Sequence, residues 1–299
     1  MKQQIKSSLI LLLTATIWGV AFVAQSVGME YIGPFTFNAI RCVLGGLVLI
    51  PVILVLKKKK ETGAENQEKE DKKTLWAGGI ACGVILCIAS NLQQFGIMEA
   101  SVGKSGFFTA LYIVMIPVIG IFIGKRPGIK LWFCVALAVV GMYLLCMKDG
   151  SFTIERADIM LLLCALVFSV HILVVDYFSP KVDGVKMSCI QFFVCGVLSA
   201  VGMLFTETPD ISNIQAAWLP LLYAGLLSCG VGYTLQIVGQ KGINPVIASL
   251  IMSLESVISA LAGWVILGQV LSPKEILGCI LMFVAIIITQ IPIGNKKTD

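Results

Sequence analysis

Ten apolar runs, each long enough to cross a lipid bilayer, follow one another along this 299-residue chain with only short polar links between most of them. They fall at 7–28, 34–56, 74–98, 103–124, 129–147, 158–178, 185–205, 216–239, 245–268 and 273–292. A helix rises about 1.5 Å per residue, so roughly 20 residues cross the hydrocarbon layer. Within that layer every backbone N–H and C=O must find a partner inside the protein, which leaves helices or closed barrels. The sequence lacks the alternating ten-residue segments of a barrel, so the expected fold is an all-α membrane protein of ten transmembrane helices. Composition agrees: 58% of residues are hydrophobic and 13% charged, with a mean hydropathy of +0.94. A water-soluble surface needs about a quarter of its residues charged.

The links between the runs set the orientation. Gly33-Pro34, Arg126-Pro127, Asn244-Pro245 and Ser272-Pro273 punctuate loops or open the next helix, where a missing N–H costs nothing. The longest polar insert, 57–73, is expected to be a mobile cytoplasmic loop. With the N-terminus in the cytoplasm, seventeen Lys and Arg fall on the cytoplasmic side. Only Lys104, Lys148, Arg156 and Lys274 fall on the other, and Arg41 lies within a span. The positive-inside rule therefore places both termini in the cytoplasm, and the expected location is the plasma membrane.

The first run is longer than a signal-peptide core, lacks a clear A-x-A site and is followed by nine more, so it reads as a retained helix. The net charge of +5 comes from short loops and builds no basic face. The lipid bilayer, not nucleic acid, is the expected environment. All ten cysteines lie in apolar stretches without a CxxC or Cys/His pattern and read as small packing residues.

Laid against itself, the chain repeats weakly. At an offset of 150, Leu161, Leu162, Leu163 and Ala165 fall on Leu11, Leu12, Leu13 and Ala15, Gly196 on Gly46, and Gln191 on Arg41. At an offset of 143, Gln236 and Gly239 fall on Gln93 and Gly96, and Gly263 on Gly120. The order of spans and loops repeats as well. Two five-helix halves follow, 1–147 and 148–299. An odd number of crossings starts the second half on the opposite side of the membrane. Such inverted repeats are a recurrent transporter design, because exchanging the conformations of the halves yields inward- and outward-open states. A duplication without alternating access would serve a channel.

The run LYIVMIPVIGIFIGKRPGIKLWFCVALAVVGMYLL (111–145) resembles the end of each half in EamA-domain proteins of the drug/metabolite transporter superfamily. LIMSLESVISALAGWVILGQVLSPKEILGCILMFVAIII (250–288) does so at the matching place in the second half, and residues 15–49 resemble the family's opening. The resemblance implies ten helices in two repeats and a transport function. Two positions depart from it. Lys125 and Gln269 stand where members often carry Glu after the Leu-Gly that closes the fourth and ninth helices, and the ninth-helix Leu-Glu-Pro reads Leu254-Glu255-Ser256.

Ionisable groups in hydrocarbon cost several kcal/mol, so the few present are candidates for a site. Glu255 lies near the middle of the ninth span, where it could take up a proton, pair with a cationic substrate or serve as a structural partner. Its image at the offset of 143 is Tyr112, also near mid-membrane, and a Tyr and a Glu facing one cavity fit a substrate site at the repeat interface. Arg41, about two turns from the outer end of the second span with Asn38 on the same face, could recognise an anion, pair with Glu255 or hold a structural role. His171, the single histidine, reads first as a satisfied core residue and second as a proton relay. Trp18 and Gln25 share one face of the first span, Asn91 and Gln94 one of the third, and Tyr233, Gln236 and Gln240 one of the eighth. Such amides either glue helices together or line a cavity. Glu99 and Lys104 read as solvated loop charges.

No cofactor is expected, and one His without clustered carboxylates makes no metal site. The sequence has no GxxxxGK[ST] motif for a built-in ATPase and no catalytic constellation. The expected function is secondary transport of a small organic metabolite, neutral or zwitterionic such as an amino acid, by alternating access, as an exporter or exchanger. A channel or a lipid scramblase on the same scaffold is the alternative.

Overall fold

The structure is a computed structural model that describes residues 2–62, 71–100, 102–124, 127–146, 155–268 and 272–290. The readings on Lys125, Arg126, Lys148, Gln269, Lys296 and Lys297 lie outside these. The described residues are helical apart from their turns: α1 (Lys2–Gly28), α2 (Pro34–Thr62), α3 (Lys72–Glu99), α4 (Val102–Ala110), α5 (Tyr112–Phe122), α6 (Ile129–Cys146), α7 (Arg156–Phe178), α8 (Gly184–Thr206), α9 (Ile211–Ala216) and α10 (Trp218–Leu222). A π-helical segment (Tyr223–Tyr233) follows, then α11 (Thr234–Gln240), α12 (Pro245–Met252), α13 (Glu255–Leu267) and α14 (Pro273–Gln290). Among the described residues eight helical stretches are long and apolar enough to cross a bilayer, and Ile129–Leu144 and Ile276–Ile288 are shorter apolar helices. The chain is an integral, multi-pass membrane protein.

Three features differ from the sequence expectation. The insert at 57–73 is not all loop: α2 continues through Lys57–Lys60 to Thr62, and α3 starts at Lys72. Lysine is a good helix former, and no Pro or Gly interrupts the run before Gly63. At the other boundary Asp71 caps α3 by accepting from the Lys73 amide. The fourth and ninth spans each carry an irregular turn near the middle, at Leu111 and at Ser253-Leu254, where the backbone stays right-handed helical but part of the hydrogen-bond ladder tightens. In the ninth, the hydroxyls of Ser249, Ser253, Ser256 and Ser259 each donate to the carbonyl three residues earlier, a back-bonding pattern that competes with the regular ladder. In the fourth, Pro117 withholds an amide within two turns of Leu111. The eighth span holds an 11-residue π-helix, whose wider turn moves its side chains off the α-helical face.

The repeat that identities show faintly is plain in the helix boundaries. The α1 end and α2 start (Gly28, Pro34) recur 150 residues later as Phe178 and Gly184, and the starts of α4 and α5 (Val102, Tyr112) recur 143 residues later as Pro245 and Glu255. The equivalent helices α2 and α8 pack together running in opposite directions. Gly202 receives the ring of Phe35, Gly196 meets Val43, and Gly46 meets Phe193, so contacts rise along one helix as they fall along the other. Cys42 and Cys195 meet across this seam with sulfurs 3.4 Å apart. Other packings come in exchanged pairs: α1 on α13 and α7 on α5, α1 on α12 and α7 on α4, then α3 on α7 and α1 on the π segment. An approximate two-fold axis across the helices produces all of these.

Candidate functional site

A small cavity sits where the halves meet. The α1 helix contributes Trp18, Ala21, Phe22 and Gln25, a stripe at helical spacing. Arg41 comes from α2, Gln93 from α3, Thr109 from α4 and Tyr112 from α5. The second half adds Phe168 and Ile172 from α7, Ser228 and Tyr233 from the π segment, Gln236 from α11 and Glu255 from α13. The repeat offsets organise this wall. Phe168 and Ile172 are the images of Trp18 and Phe22 at 150, while Gln236 and Glu255 are the images of Gln93 and Tyr112 at 143. The cavity therefore lies on the pseudo-two-fold axis, close to the irregular turns of the fourth and ninth spans.

Tyr112 and Glu255 are the first residues of α5 and α13, and the Tyr112 hydroxyl donates to Glu255 Oε1 at 3.0 Å. Arg41 donates from Nη1 to Gln25 Oε1 at 2.6 Å and lies 5.6 Å from the centre of the Phe37 ring. Its Nε has no hydrogen-bond partner among the described residues, although the residue is buried. Among the described residues neither Arg41 nor Glu255 forms a salt bridge, so the pairing offered for them from sequence is not present. Each is 4% exposed or less. Trp18 stacks at a tilt on Tyr233, with ring centroids 4.6 Å apart, and donates from Nε1 to the Ser228 carbonyl at 3.4 Å. Gln93 Nε2 donates to Thr109 Oγ1 at 3.5 Å. Gln236 donates to Gln240 at 3.5 Å, and its own Oε1 has no partner.

Seven of the residues singled out from sequence thus line the cavity: Trp18, Gln25, Arg41, Tyr112, Tyr233, Gln236 and Glu255. The other five lie elsewhere, Gln240 donating to the Ile172 carbonyl at 2.7 Å. Asn38 donates to Asn91 Oδ1 at 2.9 Å, and Asn91 donates to Ser199 and to the Cys87 carbonyl, an amide cluster joining α2, α3 and α8. His171 meets Gln191 at 3.2 Å and packs edge-on behind Tyr233, one layer back from the wall. Gln94 is fully buried away from the cavity with neither side-chain atom partnered among the described residues. Lys104 is a member of α4, not a loop charge, and bridges Glu155 and Asp158 of α7 at 3.0 Å each.

Sequence reasoning passed over Gln93, Thr109, Phe168 and Ser228 as lining residues. The offsets carried a signal for two of them, since Gln93 is the image of Gln236 and Phe168 of Trp18. Ser228 carried none, because the π turn changes which residues share a face.

The sequence model of the EamA-like transporter family matches residues 5–147 and 155–291, one match per half. The chain is similar to an uncharacterized transporter of Archaeoglobus fulgidus, 27% identical over 282 residues that cover 94% of this chain and 84% of that protein. It is also similar to the uncharacterized transporter YwfM of Bacillus subtilis, 24% identical, with 97% and 96% of the two chains covered. A solved crystal structure shares the fold with a TM-score of 0.76 at 18% identity, covering 95% of this chain and 96% of that one.

Proposed function

This chain belongs to the EamA-like transporter family, and on that premise we propose that it is a secondary transporter that carries a small neutral or zwitterionic metabolite, such as an amino acid, across the plasma membrane. The observation that carries this reading is the cavity on the pseudo-two-fold axis, walled by four symmetry-related residue pairs. Transporter sites recur at such places, near the membrane midplane where repeats meet. Exchange of conformation between halves opens that cavity to each side in turn, as an exporter or exchanger requires. In this reading Glu255 carries the coupling proton; it is the one carboxylate among the described residues of the cavity wall.

The experiment is counterflow in proteoliposomes loaded with a metabolite panel, run with and without a pH gradient. A carrier accumulates labelled substrate against unlabelled substrate on the far side. A channel or scramblase shows no counterflow, and that outcome would replace the carrier reading. Acceleration by a proton gradient that disappears in Glu255→Gln would support coupling; uptake indifferent to the gradient assigns Glu255 to binding alone.

A further inference from the structure

The two charges of the cavity are divided between the halves. Arg41 belongs to the first half, and its image at the offset of 150 is the neutral Gln191. Glu255 belongs to the second half, and its image at 143 is the neutral Tyr112. The neutral images do different work: Gln191 is fully buried against His171, and Tyr112 donates its hydroxyl to Glu255 itself. A duplicated scaffold has thus become charged at one position per half, with opposite signs, on the wall of one cavity.

Among the described residues neither group is paired with an opposite charge. The described hydrogen bonds engage one Arg41 nitrogen and one Glu255 oxygen, both with neutral partners. Desolvating an ion costs several kcal/mol unless an opposite charge and good hydrogen bonds compensate. Two buried, opposite, mutually unpaired charges on one cavity are compensated best by a ligand carrying both complementary charges. A purely anionic or cationic ligand would satisfy one and leave the other uncompensated, a penalty that excludes wrong partners.

We propose that the cavity reads a zwitterion in one fixed orientation, with its carboxylate on Arg41 of the first half and its ammonium on Glu255 of the second. This rests on the transport reading above and deepens it by assigning which residue reads which end. Gln25 acts as a positioning residue, holding the guanidinium by its 2.6 Å bond. The aromatic walls from Trp18 and Phe168, which carry no formal charge, receive the remainder of the molecule.

The test uses the purified full-length chain in detergent. Each standard L-α-amino acid is titrated by thermal shift, and every one that stabilises the protein is repeated as its decarboxylated amine and its deaminated acid. For at least one amino acid, both stripped analogues are expected to bind wild type about tenfold or more weakly than the parent. Arg41→Gln, which installs the residue found at the symmetric position, should abolish the preference for the parent over the amine. Glu255→Gln should abolish the preference over the acid. Arg41→Lys and Glu255→Asp, which keep the charge but move it, should retain both preferences in weakened form, and the melting temperature of each variant without ligand reports whether it is folded.

A stripped analogue that binds wild type as tightly as its parent overturns the two-charge readout, as does a panel in which no amino acid binds. Counterflow of an amine-only, acid-only or uncharged metabolite would then show transport intact with this inference wrong. Absence of counterflow for every solute overturns the transport reading instead.

Discussion

Tyr112 and Glu255 occupy equivalent positions in the two halves and are hydrogen-bonded to one another at 3.0 Å, so the pseudo-two-fold axis passes between them. A pair on the axis maps onto itself when the halves exchange conformations, and the bond can persist through the cycle. Tyr112→Phe keeps the ring and removes the donor from a buried carboxylate, at an expected cost of about 1–3 kcal/mol. The double variant with Glu255→Gln should lose less than the sum of the single variants. Thermal unfolding in detergent measures both, and strict additivity would contradict the coupling.

Glu207, at the end of α8, caps α2 from the other half. Its carboxylate accepts from the Phe35 amide at 2.9 Å, the Thr36 amide at 2.8 Å and the Thr36 hydroxyl at 2.6 Å. The equivalent of Gly33 in the second half is Asp183, which caps α8 itself through the Val185 and Lys186 amides. Glu207→Ala is expected to cost about 1–2 kcal/mol, the value of a lost cap on a helix N-terminus. A Cβ at Gly33 overlaps the Glu207 carboxylate, so Gly33→Asp alone should destabilise. Combined with Glu207→Ala it should recover stability by supplying the missing cap. Thermal melts of the three variants decide this.

Lys104 ties the start of α4 to the start of α7 through Glu155 and Asp158, and Asp158 is buried. The images of these residues are Ile247, Ile5 and Ser8, which carry no charge, so the opposite mouth has no matching ion bridge at those positions. Lys104→Met or Asp158→Asn should loosen this mouth. The readout is maleimide labelling of Thr109→Cys, a cavity-wall position five residues past Lys104, in intact cells and in inside-out vesicles. Loss of the bridge is expected to raise labelling from the 102/155 side by about threefold or more, and the charge swap Lys104→Asp with Asp158→Lys to reverse it. Unchanged labelling from both sides would rule out a latch.

Gly19 is where α1 touches α13 beside the site. A Cβ there would stand 2.6 Å from Ile258 Cβ and 2.8 Å from the Glu255 carbonyl oxygen. Gly19→Ala must push the two helices apart, at an expected cost of about 1–3 kcal/mol, with loss of counterflow as Glu255 shifts. Adding Ile258→Ala relieves the main clash and should return part of both. Melting temperature and counterflow rate report the two effects separately.

The amino-acid sequence determined by itself that this chain lives in a bilayer, is built of helices and contains two related halves. Lipid as solvent enforces those properties residue by residue: long apolar runs, a shortage of charge and helical hydrogen bonding are local consequences of water being absent. The same logic singled out Glu255 and Arg41, because a charge inside an apolar run is visible without any fold. Tertiary structure decided which polar groups share a space. Asn38 and Asn91 look like Gln25 in sequence, yet they bond each other at 2.9 Å while Gln25 holds Arg41 on the cavity wall. An amide satisfied by a neighbouring helix and one facing a cavity have the same local pattern, and only packing distinguishes them. Serine hydroxyls bond back to their own helix on either side of Glu255, and Ser228 reaches the wall through a π turn. Both depend on hydrogen-bond choices that the surrounding helices select, which no periodicity in the chain records.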